Sequence, residues 1–221
     1  MKKIILSLLI VGCSISGVAQ TVKWDSTFRP NNYVQRVENF RSYPNNDKDI
    51  IFLGNSITDY TDWNELLEIK EARNRGISGD ISFGVLERLD EITEGKPAKI
   101  FILIGINDIA RNIPDSVLID NYRKMITRIK NESPKTKIYF NTLLPVNNTF
   151  PAKNHFGRDG QIAFVNNALV QLCNSEKVNV IDIHPKFLDA DKRLDKKYTY
   201  DGLHLNAEGY KLWALLLKPF I

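Results

Sequence analysis

Ser56 stands in Gly54-Asn55-Ser56-Ile57-Thr58, directly after an apolar run that ends at Leu53. A serine hydroxyl is a poor nucleophile unless a base takes its proton, so a chemical reading of Ser56 needs a histidine and a group to orient it. Asp201-Gly202-Leu203-His204 supplies both. A carboxylate three residues before a histidine, with a glycine between, can fold back to one ring nitrogen and leave the other for the serine. Acyl transfer also passes through a tetrahedral oxyanion, for which preorganised N–H donors are usually the largest single aid. Gly79, in Arg75-Gly76-Ile77-Ser78-Gly79-Asp80, allows close backbone approach, and Asn107, in Gly105-Ile106-Asn107-Asp108, adds a neutral side-chain donor. Each has a plain alternative. Ser56 reads alone as a helix cap, His204 as part of a surface loop ending in the Asn206 cap, and Gly79 and Asn107 as ordinary turns. His184, ahead of Pro185 and near Asp182, and His155, in the polar loop 147–160, compete for the role of base.

The four groups become one constellation only if the chain brings them to one edge, and the hydrophobic pattern says how. Residues 49–53, 71–74, 99–104, 137–144 and 178–183 read as strands, and 99–104 is a run of continuous apolar residues, as a sheet buried on both faces requires. Between them lie helical patterns at 63–67, 81–92, 116–131 and 158–175, with a last helix over 206–217 whose cap is Asn206. Five strands alternating with helices imply a parallel sheet covered on both faces, and in such sheets ligands bind beyond the carboxyl ends of the strands. Ser56, Gly79 and Asn107 each follow a strand, and His204 lies beyond the fifth. Residues 20–48 are polar with scattered aromatics (Trp24, Phe28, Tyr33, Phe40, Tyr43). They read as an arm, with a helix around 31–40, packed on a domain that begins at residue 49.

The 221 residues, 43% hydrophobic and 25% charged, suit one domain with a real core. Lys2 and Lys3, an apolar run over 4–11 and the small-residue stretch ending at Ala19 have the layout of a secretory signal, so residues 1–19 are expected to direct export. Ile10-Val11-Gly12-Cys13 also resembles a lipoprotein box, which would anchor the protein through Cys13. Cleavage after Ala19 leaves Cys173 as the only thiol, hence no internal disulfide, and lowers the net charge from +4 to +2, too weak a bias for nucleic acid. No run after the N-terminus is long enough to span a membrane. Three widely spaced histidines, no cysteine pair and no phosphate-loop or dinucleotide motif predict neither a metal nor a cofactor.

The sequence lacks the Gly-x-Ser-x-Gly elbow of the α/β-hydrolases. In combination, its motifs resemble the SGNH hydrolases, also called GDSL-type esterases and lipases. Their four letters would be carried by Ser56, Gly79, Asn107 and His204, and the likeness runs from about residue 49 to 213. It looks closest to the branch of platelet-activating-factor acetylhydrolase subunits and carbohydrate or sialate O-acetylesterases. The resemblance implies a flavodoxin-like three-layer α/β/α sandwich, Ser56, Asp201 and His204 as catalytic triad, and Ser56 N–H, Gly79 N–H and the Asn107 side chain as oxyanion hole. Asn55 stands where the family's signature usually has Asp, although Asn keeps an acceptor for the turn.

The expected function is removal of a short acyl group, acetyl first, from a small-molecule or glycan ester such as an O-acetylated carbohydrate or sialic acid. A lipid acetylhydrolase or arylesterase would use the same chemistry on another alcohol. A non-catalytic carbohydrate-binding module on the same fold is the alternative from another class. A glycosidase would need a carboxylate pair. Asp59, Asp62, Asp80 and Asp108 are available, but none has a better role than turn or cap chemistry.

Overall fold

The computed structural model describes residues 23–221; the expected export signal over 1–19 and Cys13 lie outside the described residues. Five strands, β1 (Ile50–Gly54), β2 (Ala72–Gly76), β3 (Lys99–Leu103), β4 (Lys137–Asn141) and β5 (Asn179–Ile181), form one parallel sheet in the order β2-β1-β3-β4-β5. That order reverses between β1 and β3, the switch point at which an open α/β sheet leaves a crevice. The α/β sandwich expected from the sequence is the fold observed.

Strict alternation of side chains gives the sheet two different faces. Phe52, Phe101 and Tyr139 sit in register on neighbouring strands and stack with centroids 5.2 and 4.7 Å apart. Helices α3 (Trp63–Leu67) and α9 (Ala207–Leu217) cover this row. Trp63 stacks on Phe52 at 4.1 Å and meets Trp213 edge-on at 4.8 Å. The opposite face carries α4 (Ser82–Glu87), α5 (Leu89–Thr93), α7 (Asp115–Glu132) and α8 (Asp159–Glu176), with Leu118, Tyr122, Met125, Ile126 and Ile129 of α7 buried at the expected helical spacing. Cys173 is buried in α8, and burial pushes its thiol up to about 12, so it behaves as a core residue. Among the described residues no helix is long and apolar enough to cross a membrane.

The single helix expected over 81–92 is in fact two, broken at Arg88 (φ −102°, ψ 16°). The cause is electrostatic. Arg88 is fully buried, and its guanidinium donates to Gly54 O (3.2 Å), Arg75 O (2.9 Å) and Asp80 (3.1 Å) and pairs with Glu91. It thus satisfies carbonyls where β1 and β2 leave the sheet, and a continuous helix would carry it away from them. The last strands are also shorter than expected from the sequence. Beyond Asn141 and Ile181 the ladder gives way to side-chain bonds between the two segments, with Thr142 donating to Asp182 at 2.9 Å.

Helix α1 (Tyr33–Ser42) buries Tyr33, Val37 and Phe40 in a small cluster with Ile77. Tyr33 Oη donates to Gly84 O at 2.7 Å, and Arg36 donates to Asp59 and Gly76 O. Ahead of it, Pro30 lies against Gly79. The segment before the sheet is therefore a wall beside the strand ends.

Candidate active site

Asn55 follows β1 and caps the short helix α2 (Ser56–Asp59), its Oδ1 accepting the Ile57 N–H at 3.0 Å. The acceptor that an Asp would supply is thus present in Asn55. Ser56 is the first residue of α2 and only 8% exposed. Its Oγ lies 3.0 Å from His204 Nε2, and His204 Nδ1 lies 2.7 Å from Asp201 Oδ2.

The loop holding the histidine is stiffened from within. Asp201 Oδ1 accepts the N–H groups of Leu203 (3.0 Å) and His204 (2.8 Å) while Oδ2 takes the ring. Thr199 donates to His204 O and accepts from Gly202 N–H. Gly202 has φ +80°, and a Cβ there would fall 2.5 Å from Asn147 O, so both conformation and room call for glycine. Burial disfavours the Asp201 charge, but the His204 ring and the two N–H donors outweigh it and hold the carboxyl at about 2. An ionised Asp201 accepts from Nδ1–H, which leaves Nε2 with a lone pair facing the serine hydroxyl.

Asn107 opens toward the same place from α6 (Ile106–Ala110), which follows β3. Its Nδ2 donates to Asp80 O at 2.9 Å, tying it to the residue after Gly79, and its Oδ1 lies 2.9 Å from His155 Nε2. Gly79 adopts φ +83°. A small apolar cavity lined by Asn55, Ile57, Ile106, Leu144 and Leu203, among others, shows that the neighbours of Ser56, Asn107 and His204 converge. Beneath them are two buried carboxylates. Burial raises Asp80 to about 6, partly offset by Arg88; burial raises Asp108 to about 7, against the donors of Ser82. Asp108 holds both the N–H and hydroxyl of Ser82 and so braces the start of α4. Asp62 caps α3, and Asp59 is taken by Arg36 and Ser78, so these four carboxylates are engaged in scaffolding.

Of the competing histidines, His184 is tied to Leu143 O at 2.7 Å, away from the serine, and Asp182 serves Thr142. His155 does reach the site, but toward Asn107 instead of Ser56. Sequence reading missed two further neighbours. Tyr60 and Tyr200 flank the His204 ring with centroids at 5.1 and 6.3 Å, and both are more than half or about half exposed. Nothing in their local sequence distinguishes them from loop tyrosines; their meaning comes from His204 lying between them.

A serine hydroxyl, a histidine oriented by a carboxylate and amide donors at the switch point of a parallel sheet define an acyl-transfer hydrolase. Residues 52–212 match the GDSL-like lipase/acylhydrolase family. Platelet-activating factor acetylhydrolase IB subunit alpha2 of Rattus norvegicus is 31% identical over 78% of this chain and 74% of its own length. The N-acylneuraminate cytidylyltransferase of Escherichia coli is 29% identical over 81% of this chain, which spans only 42% of that longer protein. Among solved structures, a Streptococcus pneumoniae protein whose description names platelet activating factor superposes with a TM-score of 0.80 at 29% identity, covering 86% of this chain and 92% of that one. The chain belongs to the GDSL-like lipase/acylhydrolase family and is by class a carboxylic ester hydrolase.

Proposed function

We propose that the protein removes acetyl groups from O-acetylated carbohydrate, sialic acid included, through an acyl-enzyme on Ser56. The observation that carries the catalytic part is the unbroken relay Ser56 Oγ–His204 Nε2 (3.0 Å) and His204 Nδ1–Asp201 Oδ2 (2.7 Å). Ser56 Oγ attacks the ester carbonyl carbon while its proton passes to His204 Nε2. The carbonyl oxygen becomes an oxyanion received by the Ser56 and Gly79 N–H groups and Asn107 Nδ2. The C–O bond breaks, the departing alcohol oxygen takes the proton from His204, and the acyl group remains on Ser56. Water then attacks with His204 again as base, releasing the acid and restoring the serine.

Two features support the choice of substrate. An enclosed void of about 10 Å³, roughly the room of one water, lies among Asn55, Ile57, Ile106, Leu144 and Leu203, next in sequence to Ser56, Asn107 and His204, and this tight packing around the site favours a short acyl group over a long chain. Tyr60 and Tyr200, which flank His204, line an open trough of about 520 Å³ together with Thr61, Leu66, Leu205, Asn206 and others. Exposed tyrosine faces with polar groups at their rims fit the alternating apolar and hydroxyl surfaces of a sugar ring. The names of the two curated relatives, one an acetylhydrolase and one acting on N-acylneuraminate, agree with this choice. The charged and apolar layout of residues 1–19 supports action outside the cytoplasm.

The test is a substrate panel on purified protein lacking residues 1–19. Aryl acetate should be cleaved much faster than aryl octanoate, and O-acetylated sugars or sialic acids faster than an acetylated phospholipid. Preference for the phospholipid would replace the carbohydrate reading with a lipid one. Absence of any ester hydrolysis would favour a binding module.

A further inference from the structure

The half-buried histidine of loop 147–160 has a defined partner, Asn107. Asn107 is fixed at both ends of its amide. Since Nδ2 donates to the Asp80 carbonyl, Oδ1 is the atom that faces His155 Nε2 at 2.9 Å. A carbonyl oxygen can only accept, so Nε2 must carry the hydrogen and Nδ1 is a bare lone pair. That Nδ1 is buried and finds no hydrogen-bond partner among the described residues, which removes His155 from consideration as a base for substrate. The groups that face the ring are Lys153 on its own loop, Asp201 and His204 on the loop ahead of α9, and Arg111 at the end of α6. Burial first, then the neighbouring positive groups, hold His155 down at about 4, so at neutral pH the ring is the uncharged Nε2–H form that the geometry requires.

We infer that His155 is a positioning residue of the oxyanion site: by donating to Asn107 Oδ1 it locks the amide so that the second Nδ2–H, and never the carbonyl, faces the reacting ester. A rotated amide would present a lone pair to the developing negative charge and reverse the sign of the interaction. The same loop is fastened to the rest of the site at two other points. Asn147 N–H donates to Gly202 O at 2.8 Å, and Lys153 Nζ lies 3.4 Å from Asp201 Oδ2. The loop therefore fixes the oxyanion donor while it rests on the turn that holds the base.

The inference rests on the proposed role of Asn107, and a double-mutant cycle separates the two. Asn107→Ala, His155→Ala, His155→Gln and the Asn107→Ala/His155→Ala double variant would be assayed on an aryl acetate, with melting temperature measured on each preparation. His155→Ala should lower kcat about 10- to 100-fold with KM little changed, the range expected for misplacing a group at the reacting centre. His155→Gln, whose amide can still donate, should recover part of the loss. In the Asn107→Ala background His155→Ala should cost nothing further, because the group it positions is gone. Equal losses in both backgrounds, or unchanged kcat in folded His155→Ala, would overturn the inference while leaving the site intact. Unchanged kcat in Asn107→Ala would instead remove the oxyanion reading itself.

Discussion

Ser56 has one hydroxyl and one histidine within reach, and the chemistry concentrates there. Ser56→Ala should lower esterase turnover by at least ~10³-fold without altering the fold, since only one oxygen is lost from a site that packs no core. Near-normal turnover in a folded variant would dismiss Ser56 as nucleophile. Asn107 separates two kinds of contribution. A donor aimed at an oxyanion acts only in the transition state, so Asn107→Ala should reduce kcat by ~10²–10³ and move KM little. A purely structural Asn107 would lower the melting temperature and leave kcat per folded molecule unchanged. The proton relay sets the acid side of the rate profile. Asp201, held at about 2, stays ionised over the working range, so loss of rate on acidification should follow protonation of His204. A profile with chemistry limiting that does not fall on acidification would count against the relay.

At the scale of elements, the site depends on how strand ends are finished. Arg88 is where this is most concentrated, because it serves the Gly54 and Arg75 carbonyls near the ends of β1 and β2 and pairs with Asp80, whose own carbonyl receives Asn107. Removing it would leave Asp80 a buried carboxylate without its cation, leave Glu91 with Arg75 alone, and take a donor from the Gly54 and Arg75 carbonyls. Arg88→Ala should therefore cost about 3–5 kcal/mol of stability, the range for breaking a buried pair, read from chemical denaturation. It should also lower kcat at temperatures where the variant is still folded, through Asp80 and Asn107. A loss below 1 kcal/mol would show that the break between α4 and α5 has another cause.

For the whole molecule, the buried carboxylates give stability a pH dependence of definite sign. Asp80 and Asp108 titrate near 6 and 7 in the fold against an ordinary 3.8, so the native state binds more protons than the unfolded chain between those values. Their contribution is complete below about pH 4 and is lost as pH rises through 6 to 7. Asp201, depressed to about 2, has the opposite sign: its contribution is present above 3.8 and is lost as pH falls toward 2. The melting temperature of Asp108→Asn should accordingly fall less than that of the parent between pH 5 and 8. An equal or steeper fall would show that Asp108 is ionised throughout.

Much of this was legible in the sequence because it is local. A continuous apolar run announced β3, the helical stripe within 116–131 announced α7, and a carboxylate, a glycine and a histidine within four residues can pair through their own turn. Ser56, Gly79 and Asn107 could be singled out because parallel strands deliver their following residues to one edge. Other features depended on groups far apart in the chain. The break at Arg88 is invisible to helical periodicity because its cause is a set of carbonyls on β1 and β2. His155, in a polar loop without pattern, acquires meaning only when the fold brings it 2.9 Å from Asn107, 48 residues away in sequence. Tyr60 and Tyr200 read as ordinary exposed tyrosines until His204 is placed between them. Sequence by itself determined the strands, the helices and the chemical groups, because hydrophobic period and short turns act over a few residues. Tertiary structure alone decided how the oxyanion donor is held and what flanks the base, because hydrogen bonds and ring contacts act between atoms wherever in the chain those atoms originate.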